Sequence, residues 1–255
     1  MSVFVLKILA MSSMVSDHIA YAFVDPNQLL MRKIIGRLAF ILYAFLMSES
    51  YYHLRGKPGK LRQHVIKLLI LGVGSEFLYD MFDYGRWVDF STQNVIWTLL
   101  LGFSMLIAAG YIREHVQNRP VRAVSIAAVC FAAAGTAYCI KCNYGFAGVM
   151  LIGMFYLYLC RADAADRLHK LGCLALIEAV FCFLFVWESV GFGGWNALTE
   201  KAWNLRQWGV GIAVALIPLV FYNREIGYKS KWFNLFYSLF YPLQFAVILI
   251  VRAVL

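Results

Sequence analysis

The chain has 255 residues, of which 62% are hydrophobic and only 15% charged, and its mean hydropathy is +0.69. A soluble domain carries about 25% charged residues, so the polar surface needed to solvate a globule is missing and the chain reads as an integral membrane protein. The net charge of +9 is spread over several loops, which fits basic loops beside a membrane and argues against nucleic-acid binding.

Apolar runs of about 17 to 22 residues recur between charged loops, the length a spanning helix needs. Barrel strands would instead alternate over about 10 residues. Nine spans are predicted, at about 3–24, 34–53, 64–82, 94–112, 121–140, 144–160, 170–188, 205–222 and 232–252. The stretch 189–204, with Gly191, Gly193, Gly194 and Trp195, has the composition of an interfacial or re-entrant tenth element. The expectation is an all-α polytopic transmembrane helical bundle of nine to ten helices, forming a single integral membrane domain over 1–255, with no internal repeat. The first span has the length of a secretory signal. It lacks a small-x-small cleavage site and contains Asp17 and His18, so a retained helix is expected.

Loop charges set the orientation. One set of alternate loops holds 14 lysines and arginines, from Arg55 to Lys231, and the other holds 7. The positive-inside rule then places the N-terminus in the cytoplasm. Of the six cysteines, five lie in or beside apolar runs, where cysteine acts as a small hydrophobe. Cys139 and Cys142 bracket a short loop and would form a disulfide only in an oxidising compartment. A metal site would need two more ligands nearby, and no metal is expected.

Depth is where the sequence becomes informative. Asp17 and His18 lie inside the first span, His18 about six residues or roughly 9 Å before its outer end. Arg37 lies one turn below the outer start of the second span, and Ser75, Glu76 and Asp80 fall in the last two turns of the third. Asp17, His18, Arg37 and Glu76 are thus expected at similar depth on three consecutive helices. Ionisable groups at such depth are costly and mark functional sites by default. The competing explanation is a structural ion pair with a histidine bonded to a backbone carbonyl.

On the first helix Lys7, Met11, Met14 and His18 share one face. That face would lead from the cytoplasm to His18, with Lys7 at its mouth as a contact for a phosphate or, more plainly, as a snorkelling helix-end lysine. An imidazole beside a carboxylate suits general-base chemistry. Adjacent helical residues point about 100° apart, so Asp17 would orient His18 indirectly. Arg37 would steady developing negative charge.

The runs KILAMSSMVSDHIAYAF, IIGRLAFILYAFLMSESYYHLR, LLILGVGSEFLYDM, NVIWTLLLG and WFNLFYSLFYPLQF resemble the TraX family. That family is named for the membrane protein that N-acetylates F-type conjugative pilin. The likeness covers the first 110 or so residues and the last 30 or so, and is similar in organisation to bacterial membrane acyltransferases. It implies acetyl-CoA as donor and a pilin or another envelope acceptor as partner, in the bacterial cytoplasmic (inner) membrane. It further implies His18 as the acyl-transfer residue, Asp17 as its partner, and Arg37, Glu76 and Asn94 as site residues. It leads one to expect a histidine after Tyr241-Pro242-Leu243, where this chain has Gln244. Glutamine keeps a hydrogen bond but shuttles no proton at neutral pH. Pro242 should kink the last helix. Two other readings fit the buried charges: a small-solute or proton-coupled transporter, and a non-catalytic membrane assembly factor.

Overall fold

The computed structural model describes residues 1–24, 30–161, 166–190 and 213–254, save the side chains of 30–35, 37, 189 and 190. The architecture is all-α. The helices are α1 Val3–Phe23, α2 Leu30–Leu54, α3 Pro58–Tyr84, α4 Val95–His115, α5 Arg119–Cys139, α6 Gly145–Arg161 and α7 Arg167–Val190. A further helix α8 covers 213–220, and α9 is Lys231–Val254. Each predicted apolar span overlaps one of them, residues 205–212 of the eighth lying outside the described residues; so does the expected re-entrant piece at 189–204 apart from its first two residues, which end α7. Among the described residues, five helices (α1, α4, α5, α9 and the Arg167–Glu188 part of α7) are long and apolar enough to cross a membrane. The sixth helix is apolar but only 17 residues long. This is a multi-pass helical membrane protein.

Local chemistry explains the helix limits. Ser2 caps α1, Asn94 caps α4 through the Ile96 amide, and Asn118 caps α5 through the Val121 amide, each satisfying a donor the first turn leaves orphaned. Pro58 opens α3, and Gly85 closes it with a left-handed φ of 67°.

The contacts fall into two compact units. The first comprises Met1–Leu46, Ala165–Cys182 and Ser189–Leu255; the second comprises Met47–Ala164 and Phe183–Glu188. In the first, α1 packs on α9: Phe4 meets Phe233 and Tyr228, and Lys7 reaches Asn234. The chain before α9 is stitched to the start of α1, the amides of Val3 and Phe4 donating to the carbonyls of Glu225 and Ile226. In the second, α3 to α6 pack as sequential neighbours, and α4 also packs on α6. A Cβ on Gly102 of α4 would overlap Ile152 of α6, so glycine permits that close approach. Phe103, Leu151, Ile152 and Phe155 are fully buried there. Many large apolar side chains of α5 and α9 face outward, as lipid-facing surfaces do.

Candidate functional site

In the first unit the helical step between neighbours decides where the acid and the imidazole point. Asp17 turns toward α2, where a Cβ on Gly36 would overlap its carboxylate. His18 turns toward α9, its ring 4.7 Å from that of Phe245 at an interplanar angle of 32°. Both residues are half-buried. The pair is therefore shared between two neighbouring helices, as the 100° step requires.

The face leading to His18 differs from the expected path. Met11 and Met14 are buried in the protein core, so this face packs and does not line an approach. Lys7 donates to Asn234 Oδ1 at 3.3 Å and sits 4.6 Å from the centre of the Tyr237 ring. It is held by α9 and does not simply snorkel. The Arg37 side chain lies outside the described residues. Gln244, in the place where the resemblance led to a histidine, is buried, and neither amide atom has a hydrogen-bond partner among the described residues. Pro242 lies within α9, which continues through it.

In the second unit the structure brings Glu76 and Asn94 together. Glu76 Oε1 accepts from the Asn94 backbone amide at 3.0 Å; its Oε2 accepts from Asn94 Nδ2 and from Trp97 Nε1, both at 2.6 Å. The Asn94 amide group also donates to the Gly72 carbonyl at 2.9 Å, while its Oδ1 caps α4. Asn94 is fully buried. The carboxylate is satisfied by three N–H donors, and the pair binds the start of α4 to α3.

Beside this clamp, Gln93 bridges to the 141–143 loop by two backbone bonds of 2.9 Å, and Thr98 donates to the Asn143 carbonyl. Cys139 is exposed and Cys142 buried, and both are free thiols. Burial pushes the Cys142 thiol up to about 12. In the preceding loop the Ser91 hydroxyl and amide hold the Asp89 carboxyl below its usual range.

Three acids escaped the sequence reading. Glu188 of α7 accepts from the amides of Phe146 and Ala147 at 2.9 and 3.1 Å and so caps α6. Glu178 of α7 is buried, with no hydrogen-bond partner for either oxygen among the described residues. It carries the signal that singled out Asp17, an acid within an apolar run. Glu49 is buried and bonds the half-exposed His53 at 2.8 Å. Their i, i+4 spacing on one helix was readable.

The fold and these interior groups define a polytopic α-helical membrane protein with polar side chains placed inside its helices. The family model described as TraX protein matches residues 2–252, and the chain belongs to the TraX family. It is similar to the "Probable fimbrial assembly protein FimC, serogroup H1" of Dichelobacter nodosus, with 24% identity over 258 residues, 97% of this chain and 94% of that protein. No solved structure matches the chain.

Proposed function

We propose that the protein is a membrane acyltransferase of the bacterial cytoplasmic membrane, moving an acetyl group from acetyl-CoA to a pilin N-terminus or another envelope acceptor. Membership of the TraX family and the fimbrial-assembly name of a relative support a pilus setting. The observation that carries the chemistry is the imidazole of His18, seated half-buried on the first helix next to a carboxylate-bearing residue.

In this reading His18 accepts the proton of the attacking amine or hydroxyl. The nucleophile adds to the thioester carbonyl, the carbon–sulfur bond breaks, and the coenzyme A thiolate leaves and takes up a proton. Asp17, a helical step away, stabilises the imidazolium by its charge, and Arg37 steadies the oxyanion. Glu76 and Asn94 enter as the site residues that the family likeness implies, and Lys7 as the phosphate contact that its place on the first helix suggests.

The test is acetyl transfer from radiolabelled acetyl-CoA in membrane vesicles. His18→Ala and His18→Gln should each lower transfer by about a hundredfold or more with expression unchanged; undiminished transfer by both removes His18 from the chemistry. The relative's name favours a second reading, a non-catalytic assembly factor, which instead predicts normal pilus assembly by both variants.

A further inference from the structure

At the end of the second unit where α2, α4 and α6 close and α3 and α5 begin, eight lysines and arginines face one exposed carboxylate, Glu114, among the described residues. The positive-inside rule accounts for the sign of that charge. It does not account for how one member is held. The Arg55 guanidinium lies 4.0 Å from the centre of the Tyr52 ring, and its Nη1 is 3.9 Å from Cys160 Sγ. Tyr156, its ring edge-on to Tyr51, lies close enough to interact with the guanidinium electrostatically.

The supports are themselves fixed. The Arg55 amide donates to the Tyr51 carbonyl at 2.8 Å. Tyr51 is buried, its ring edge-on to Tyr156 at 5.1 Å and its hydroxyl against Gly110, where a Cβ would overlap it. A face and an edge of the guanidinium are therefore occupied by protein. No carboxylate among the described residues lies within ion-pair distance of it. An ordinary surface arginine keeps its rotamer freedom and gains little from one partner. This one has its freedom removed in advance while its charge stays uncompensated, the condition under which a planar fork binds an oxyanion tightly. Lys57, two residues on, is held by a 3.3 Å bond to the His53 carbonyl.

We propose that Arg55, with Lys57, forms a phosphate-binding site at this end of the second unit. Its ligand is a phosphate ester or pyrophosphate group, carried either by an anionic lipid headgroup or by a soluble nucleotide such as coenzyme A. The site is built from the second unit alone; only the choice of coenzyme A as a probe rests on the acyl-transfer reading.

Cys160 supplies the readout, because a phosphate on the guanidinium beside it shields the thiol. The full-length protein in detergent is labelled with maleimide, and the rate at Cys160 is followed by peptide mass mapping with and without inorganic pyrophosphate. Pyrophosphate should slow labelling in the wild type. Arg55→Lys keeps the charge but loses the stacked fork, and should weaken the protection about tenfold. Arg119→Gln, which removes a charge at the start of α5, should leave it unchanged. Equal protection in Arg55→Lys and wild type, or loss of it in Arg119→Gln, would mean diffuse attraction and overturn the proposal, as would no protection at all in the wild type. Two further arms identify the source. Protection by coenzyme A assigns a soluble ligand; protection by phosphatidylglycerol nanodiscs over phosphatidylcholine ones assigns a lipid.

Discussion

Asn94 meets three obligations as one residue: its side-chain oxygen caps α4, its side-chain nitrogen serves the Gly72 carbonyl and Glu76, and its backbone amide serves Glu76 again. Asn94→Ala should therefore cost about 1–3 kcal/mol, a lost cap plus unmet buried partners, seen as a lower thermal midpoint in detergent. Asn94→Asp keeps the cap but sets a second carboxylate against Glu76, so it should also destabilise; a wild-type midpoint in both variants would dissolve the clamp. Asp89 offers a pH test. Its carboxyl is held below the ordinary aspartate value of about 3.9. A depressed folded value contributes stability above the unfolded value and loses it as pH falls through the folded one. The order of the 85–93 loop should thus weaken in acid, below about pH 3.9, and hydrogen exchange at Ser91 should lose that acid dependence in Asp89→Asn.

At the scale of the element, α6 leans on another helix. It is 17 residues long, and a carboxylate from another helix serves its first-turn amides. Gly145 opens it with φ of 32°, and a Cβ there would overlap Glu188. Glu188→Ala should destabilise by about 1–2 kcal/mol, as loss of an N-cap does, with Glu188→Gln milder because the amide oxygen still accepts. Equal midpoints for wild type and Glu188→Ala would refute the cap. Helix identity was legible because apolar length and loop charge are local properties of the chain. What the helices do to one another was not: Glu76 meets Asn94, and Glu188 meets Phe146, through side-chain reach across the fold, which no spacing encodes. Asp17 was legible as an anomaly of depth; that Gly36 leaves room for it was not.

For the molecule as a whole, the alternation of loop charge places Cys139 and Cys160 at opposite membrane faces. An impermeant maleimide should label Cys139 in intact cells and Cys160 only after permeabilisation, and the reverse pattern would invert the topology. Cys142, three residues from Cys139, should stay unlabelled at pH 8, since a thiol pushed to about 12 offers almost no thiolate there. The cap on α6 also has a consequence in time. Phe146 and Ala147 leave the ribosome some 40 residues before Glu188. Until α7 is made, the first turn of α6 carries backbone donors that lipid cannot satisfy. The nascent chain therefore has reason to hold α6 at the translocon or the interface, and to commit it to the bilayer together with α7.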